Sequence, residues 1–221
     1  MKRHFFCLLS LLISSSAFCQ GEYLKPGQSG QIFSFGYSKD EGARSYFGTA
    51  GFSYRTIFEG GVDIGRTTSP KPEFGSRIQT TGITPYIAFH DKNEEYVSFI
   101  MGINRQWATH SSQDLDDEDL KLSSKSYGVF LKLYRGFSIS TKTSVIPYVA
   151  FGYDMIKSTL EDDNGNKDSD DDNVRSIGIG LPLIYTNGDG NKVVALPAMV
   201  YAKKNVTFSV SIGFVFAGTR I

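Results

Sequence analysis

The sequence predicts an all-β protein: a closed, antiparallel, up-and-down transmembrane β-barrel of ten strands, with eight strands as the alternative. Apolar and small or polar residues alternate over many short runs, which is the period of a strand with one buried and one wet face. No 3.6-residue pattern of helix length occurs, and turn-rich breaks separate the runs. Together these observations favour strands joined in sequence into one wall.

The clearest strand covers residues 206–217. Its apolar face carries Val206, Phe208, Val210, Ile212, Phe214 and Phe216. Its other face carries Thr207, Ser209, Ser211 and Gly213. A strand of this length can cross a bilayer, and only one of its faces suits hydrocarbon. Because hydrocarbon offers no hydrogen bonds to an open sheet edge, such a wall must close on itself.

The same alternation predicts ten strands, at 31–38, 45–55, 59–67, 77–90, 95–109, 125–137, 145–158, 174–186, 192–202 and 206–217. Residues 192–202 are apolar on both faces, so the orientation of that strand is left open. Eight strands result if this region or 59–67 folds differently. Pro70 and Pro72 must lie outside any central strand, because proline has no N–H for the ladder.

The connections form two alternating sets. Those after strands two, four, six and eight are short, whereas those after strands three, five and seven are long and polar. Residues 161–173 hold seven acidic residues and one lysine, so they are predicted to be a solvent-exposed loop. An even number of strands returns both termini to one side, the side of the short turns, as in outer-membrane barrels.

The N-terminus has the pattern of a secretory signal peptide. Lys2 and Arg3 precede an apolar run at residues 5–13, and small residues Ala17 and Cys19 precede a cleavage point before Gln20. The predicted domains are therefore a signal peptide at 1–19 and a barrel domain at 20–221. A lipoprotein acylated on Cys19 is the rival, and a bulky Phe18 beside the cysteine fits it badly. Cleavage would remove both cysteines, so no disulfide is expected.

The charge totals exclude one class of partner. Lysine plus arginine equals aspartate plus glutamate, at 23 each, and no basic stripe points to nucleic acid.

The signal peptide, the glycine–aromatic runs such as residues 51–54, and the terminal Gly213-Phe214-Val215-Phe216 resemble the small outer-membrane β-barrel family of Gram-negative bacteria, porin-like or OmpA-like barrels. The resemblance implies a monomer in the outer membrane, in contact with its lipid and lipopolysaccharide. It also implies insertion by the barrel-assembly machinery, which reads an aromatic-rich last strand. This chain departs from the pattern because residues 217–221 follow its last aromatic.

Six polar residues are predicted to face the lumen: Arg55, Glu59, Asp63, Asn104, Lys132 and Asp154. In a hairpin, inward residues oppose inward residues, so paired residue numbers must sum to an even value. A three-residue turn at 56–58 places Arg55 opposite Glu59 and predicts an ion pair there. The set either fills a narrow lumen or lines a pore. A barrel of about eight to ten strands and the bulky inward Tyr86, Phe130 and Tyr148 favour filling.

Two loops carry candidate chemistry. His110 and Ser112, with Glu118 nearby, resemble the His-x-Ser and acidic residue of outer-membrane lipid A deacylases, in which histidine would activate serine. The asparagine-rich context of those enzymes is absent after Ser112, which favours a solvated loop tip. Alternate oxygen ligands for Ca²⁺ occur at Asp162, Asn164, Asn166 and Asp168, but the closing glutamate of a full calcium loop is missing.

The sequence therefore predicts an integral outer-membrane barrel with a structural, surface-interaction or small-solute porin-like role. No catalysis, cofactor or metal is expected, and the alternative function is a lipid A deacylase-like hydrolase. A secreted, soluble, lipocalin-like barrel would need the opposite arrangement, an apolar interior and a polar exterior.

Overall fold

The computed structural model describes residues 21–40, 43–69, 77–92 and 96–218. That part of the chain is about 72% strand, with a 3-10 turn at Gly21–Tyr23 and one short helix, α1 (Gln113–Asp117). No helix within it is long and apolar enough to cross a membrane. The strands are β1 (Gly30–Lys39), β2 (Arg44–Tyr54), β3 (Phe58–Thr68), β4 (Gln79–Asp91), β5 (Ser98–Ser111), β6 (Lys121–Tyr134), β7 (Phe137–Ser138), β8 (Thr143–Val145), β9 (Tyr148–Glu161), β10 (Lys167–Gly180), β11 (Leu183–Thr186), β12 (Lys192–Ala202) and β13 (Asn205–Ala217).

The sheet closes into a barrel of ten strands, as the sequence predicts. The first and last strands pair antiparallel along their whole shared length, from Gly30↔Ala217 to Lys39↔Phe208. The ten strands of the barrel wall are β1 to β6, β9, β10, β12 and β13. Each of them pairs with the wall strand before it and the wall strand after it, and β10 pairs with β12 from Ser176↔Ala202 to Gly180↔Ala198. The eight-strand alternative is therefore wrong, because both doubtful regions form wall strands.

Three short strands continue the barrel wall after breaks in three of the long strands. Two of these breaks contain a proline and one contains a glycine. Strands β7, β8 and β11 extend β6, β9 and β10, and they pair with one another and with the first residues of β12. Pro147 and Pro182 stand at two of the breaks, where a residue without an N–H cannot continue the ladder. The predicted strand 174–186 is consequently two strands, β10 and β11, separated by Leu181 and Pro182.

The barrel has two ends, which we name by what they hold. The terminal end holds Gly30 and Ala217, the turns at 55–57, 139–142 and 187–191, and the ends of β4 and β5 at Asp91 and Ser98. The loop end holds the connections at 112–120, 162–166 and 203–204, the ends of β1 and β2 at Lys39 and Arg44, and those of β3 and β4 at Thr68 and Gln79. At the loop end, β10 begins at Lys167, so the predicted loop at 161–173 is wrong for its second half. Those residues form an exposed strand because β9 offers them a pairing edge up to Glu161↔Lys167.

The two faces of the wall have opposite character, in the sense that the sequence predicts. Large apolar side chains are exposed on the outside, for example Phe35 at 71%, Ile87 at 63% and Phe208 at 62%. Serine, threonine, asparagine, charged side chains and some aromatic rings are buried inside. In β12, Val194 and Leu196 face inward, which settles the strand whose orientation was open. The lipocalin-like alternative needs the reverse arrangement and is wrong.

Some predictions fall outside the described residues. They are the signal peptide at 1–19 with its cysteines, the positions of Pro70 and Pro72, and the last residues, 219–221. These predictions stay predictions.

Candidate functional site

The turn between β2 and β3 corrects one predicted lumen residue. The register has Tyr54 opposite Phe58 and Ser53 opposite Glu59, so paired numbers sum to an even value as predicted, but the turn is Arg55, Thr56 and Ile57. Arg55 has φ 52° and is exposed, and its guanidinium lies 5.4 Å from the centroid of the Tyr54 ring. The predicted ion pair between Arg55 and Glu59 is therefore wrong.

Glu59 instead belongs to a buried polar cluster inside the terminal end. The hydroxyl of Tyr86 donates to Glu59 Oε1 at 3.0 Å, and His90 Nε2 lies 3.1 Å from Glu59 Oε2. The side chains of His90 and Glu59 are both fully buried. β3 and β4 position this cluster, because inward residues of neighbouring strands meet on the lumen side of the sheet.

Three more of the predicted residues lie in the middle of the lumen. Asp63 accepts a hydrogen bond of 2.6 Å from the hydroxyl of Thr49, which stands directly opposite it. Asn104, Gly128 and Asp154 face one another across β5, β6 and β9, and the side chains of Asn104 and Asp154 hydrogen-bond over the glycine. Glycine at 128 leaves the space that this contact needs, since a Cβ there would lie 2.7 Å from Asn104 Oδ1.

The N-terminal segment enters the lumen at the terminal end. Glu22, Tyr23 and Leu24 are 1%, 3% and 2% exposed. The ammonium of Lys132 lies 2.8 Å from Glu22 Oε1 and 2.7 Å from Oε2, and 4.0 Å from the centroid of the Tyr148 ring. Lys132 is thus in the interior, paired with a residue that precedes the first predicted strand, at 31–38.

Several contacts hold this segment, which we call the plug (residues 21–29). Lys92 donates to the carbonyls of Glu22 and Leu24, and Lys192 donates to that of Tyr23. The amide of Gly27 donates to Thr56 Oγ1 at 3.1 Å, so the turn of β2 and β3 also secures it. Three lysines therefore surround a segment of nine residues from different sides of the barrel.

Sequence reasoning missed the plug, although Lys132 carried a signal. Its cross-strand neighbours are Ile100 and Ala150, neither of which can neutralise a cation. A buried lysine without an acidic neighbour on its own wall needs a partner from elsewhere in the chain. Glu22 lies close to the predicted start of the mature chain, and it supplies that partner.

The lumen is filled by these side chains. Tyr86, Phe130 and Tyr148 are buried across it, as the sequence predicts. Beside the plug lies a cavity of about 10 Å³ lined by Tyr23, Ile32, Ser34, Val194, Leu196, Ser211 and Gly213. That volume is about what one water molecule requires. The described interior is packed with side chains, many of them hydrogen-bonded or ion-paired.

At the loop end, His110 and Ser112 have structural partners. His110 is buried, with Nδ1 2.8 Å from Thr80 Oγ1 and Nε2 3.0 Å from Ser124 Oγ. Ser112 is the N-cap of α1, where its hydroxyl accepts a hydrogen bond of 3.3 Å from the amide of Leu115. Both ring nitrogens of the histidine and the oxygen of the serine thus serve hydrogen bonds within the fold, which does not favour the deacylase alternative.

The candidate calcium loop also has an internal explanation. Asp162 accepts hydrogen bonds from the backbone amide and the side-chain amide of Asn166, at 2.8 and 2.9 Å. These bonds hold the pKa of the Asp162 carboxyl below its usual range. Within the described ranges, no group of three or more histidine, cysteine, aspartate or glutamate side chains could hold a metal ion. The alternating oxygens close a turn between β9 and β10.

Comparison with solved structures identifies the fold. The translocator domain of the autotransporter NalP from Neisseria meningitidis is similar with a TM-score of 0.54 and 14% identity, over 96% of this chain and 93% of that one. The COG4313 outer membrane channel from Pseudomonas putida F1 is similar with a TM-score of 0.51 and 11% identity, over 90% and 99%. This chain has the outer-membrane β-barrel fold. No protein-family model and no curated protein matches it, and identities this low show the fold alone.

The apolar outer face of β5 carries one cation stacked on aromatic rings. Arg105 interrupts the outward row of β5, and its guanidinium lies 4.7 Å from the ring centroid of Trp107 and 4.9 Å from that of Tyr127. A cation stacked on two rings suits the border between hydrocarbon and headgroups.

Proposed function

We propose that this protein is a non-conducting structural barrel of the outer membrane, without catalytic activity, that presents acidic hairpins on the cell surface. The observation that carries the proposal is the plugged lumen: a buried Glu22–Lys132 ion pair closes the terminal end, and a barrel of this size is filled by its own side chains. The alternative function is a pore for small solutes, since the charged side chains in the lumen could also select ions.

The acidic hairpin of β9 and β10 supports the surface role. β10 pairs with β9 up to Lys167, but its pairing with β12 starts only at Ser176. On that side the hairpin therefore extends beyond its pairing with β12 by about 30 Å of extended chain, taking about 3.3 Å per residue. On the other side, β6 pairs with β9 up to Lys121↔Glu161. Residues 168–172 along it are exposed or half-buried and include four aspartates, so a surface partner would meet negative charge.

Conductance separates the structural barrel from the pore. The mature chain, refolded and inserted into planar bilayers, is expected to give no current steps at moderate voltage, while a conducting porin inserted in the same way gives them. Steps of porin size from the wild-type chain would overturn the proposal.

A second variant tests whether the plug matters to that result. Deletion of residues 20–28 removes Glu22 and opens the terminal end, and we expect brief, small openings because the middle layer of side chains remains. The comparison variant is Lys132→Ala with Asp154→Ala, which removes the ion pair but keeps the plug. We expect it to stay closed because Lys92, Lys192 and Thr56 still hold the plug. Sustained current from this double variant would contradict the idea that packing closes the lumen.

A further inference from the structure

Cations mark one border of the apolar band on the outer wall. On seven strands an exposed, outward-facing lysine or arginine stands where the apolar row ends toward the loop end. These residues are Lys39, Arg44, Arg66, Arg105, Lys125, Lys157 and Arg175. At the terminal end, the outward residues of the corresponding border are largely aromatic, and they include Phe52, Phe58, Phe89 and Phe216. The cations of these seven strands therefore lie at the loop-end border, whereas at the terminal end the exposed Arg55, Arg135 and Lys142 lie in the turns and at a break between strands.

Register places two pairs of these cations directly against each other. Lys125 of β6 stands opposite Lys157 of β9, and on the other side of the barrel Lys39 stands opposite Arg44. Side chains directly opposite each other in an antiparallel pair have Cβ atoms about 5 Å apart, and like charges there are destabilising. In the described part of the chain, neither Lys125 nor Lys157 forms an ion pair. An anion bound between them would remove the repulsion.

The neighbours of the lysine pair make a site for an amphiphile. Trp107 stands directly opposite Lys125 on β5, and Arg105, stacked on Trp107 and Tyr127, is the diagonal neighbour of Lys125. On the far side, Asp171 of β10 stands opposite Lys157 and is the acidic residue of this row. Three cations against one acid leave net positive charge directly above apolar wall formed by Val129 and Met155.

We propose that Lys125, Lys157 and Arg105 bind a phosphate group of lipid A in the outer leaflet, with its acyl chains along the apolar wall below. The inference rests on the outer-membrane location proposed above. A phosphate monoester carries about −1.5 to −2 charges and three acceptor oxygens, which match two opposed ammonium groups and a guanidinium. A phosphodiester such as phosphatidylglycerol offers a single charge and matches them less well.

The chain contains a single tryptophan, Trp107, and it lies in the proposed site. Quenching of its fluorescence by brominated acyl chains therefore measures which lipid occupies this part of the wall. The mature chain is refolded into phosphatidylcholine vesicles that contain brominated lipid A, brominated phosphatidylglycerol or brominated phosphatidylcholine at equal fractions. We expect lipid A to be enriched beside Trp107 over phosphatidylcholine by at least about tenfold, given about fivefold for each cation near the surface.

The test variant is Lys125→Gln with Lys157→Gln, which keeps the length and polarity of both side chains. We expect its enrichment of lipid A to fall toward that of phosphatidylcholine. The matched control is Arg55→Gln with Lys142→Gln, which removes two exposed charges at the terminal end and should leave the enrichment unchanged. Circular dichroism of each variant checks that the barrel has formed.

Three outcomes would overturn the inference. Equal enrichment of lipid A and phosphatidylcholine in the wild type would show no site at Trp107. Equal enrichment of phosphatidylglycerol and lipid A would replace lipid A by anionic lipid in general. An equal loss in the control variant would show an effect of net charge alone. None of these results concerns conductance, so failure here is distinguishable from failure of the proposed non-conducting role.

Discussion

The buried pair of Glu22 and Lys132 gives the sharpest test of the plug. We consider Lys132→Met, which keeps the length of the side chain but removes its charge, and Glu22→Gln, which keeps the shape of the carboxyl. Each single change leaves one partner in a dry lumen without its counter-charge. The double variant leaves two neutral side chains that can pack and hydrogen-bond.

The magnitude follows from the burial of the pair. The two side chains are 1% and 0% exposed, and both carboxylate oxygens lie within 2.8 Å of the ammonium nitrogen. Removing one partner of such a pair costs about 3–5 kcal/mol, whereas replacing both by neutral groups of similar volume is often nearly neutral. Loss of the contact between Lys132 and the Tyr148 ring adds about 1–2 kcal/mol to the lysine variant. We expect Lys132→Met to be the less stable single variant.

The assay is reversible urea unfolding of the refolded barrel in phosphatidylcholine vesicles, for the wild type, both single variants and the double variant. We expect the double variant to be at least about 2 kcal/mol more stable than the sum of the single changes predicts, as for other contacting pairs. Additive effects, with a coupling energy below about 0.5 kcal/mol, would refute the reasoning, because they would mean that Glu22 does not occupy the lumen beside Lys132.

Three further predictions follow from other contacts. Gly61→Ala should destabilise the barrel by about 1–3 kcal/mol in urea, because its Cβ would lie 2.6 Å from the Tyr86 hydroxyl and 2.8 Å from the carbonyl of Ala50; Gly188→Ala, with open space around it, is the control and should have no effect. Asn166→Ala should raise the depressed pKa of Asp162 toward its ordinary value in an NMR titration. Any contribution of these hydrogen bonds to stability is present above the pKa of Asp162 in the unfolded chain, and it is lost as the pH falls through its pKa in the folded chain. A pKa of Asp162 that stays unchanged in the variant would contradict the role of these hydrogen bonds. Mature chain with His110→Gln should show the same lack of lipid A deacylation as wild type by mass spectrometry of the lipid, and activity lost only in the variant would restore the hydrolase alternative.

The wall could be predicted from sequence because its rule is local. Alternation along residues 206–217 fixes which side chains meet lipid, and the same rule holds for the neighbouring strands, so the number of strands and the facing of Tyr86 and Phe130 follow. The requirement that paired residue numbers in a hairpin sum to an even value is also local, and it holds for β2 and β3. It fixes the parity of the register but not its value, so the predicted turn was displaced by one residue and the predicted partner of Glu59 was wrong.

Strand boundaries outside the membrane depend on a different balance. The run 168–172 is rich in aspartate, which disfavours strands, and the sequence therefore predicts a loop there. In the structure β9 continues beside it, and its unpaired edge offers backbone hydrogen bonds that outweigh side-chain preference where the charges remain in water. Such an extension depends on the length of the neighbouring strand, and the residues of the extending segment alone do not reveal that length.

The plug shows what a barrel sequence hides even when every face is assigned correctly. Alternation states that Lys132 points inward, but it cannot state which side chain from across the lumen reaches it, because strands far apart in the chain face the same interior. Glu59 also points into this interior, yet it lies with Tyr86 and His90. On the wall strands, Lys132 has no acidic cross-strand neighbour. The free energy needed to bury an unpaired ammonium group is large compared with the net stability of a folded protein. That imbalance requires a carboxylate from across the lumen or from a segment outside the wall, and in the structure Glu22, at the N-terminal side of β1, supplies it.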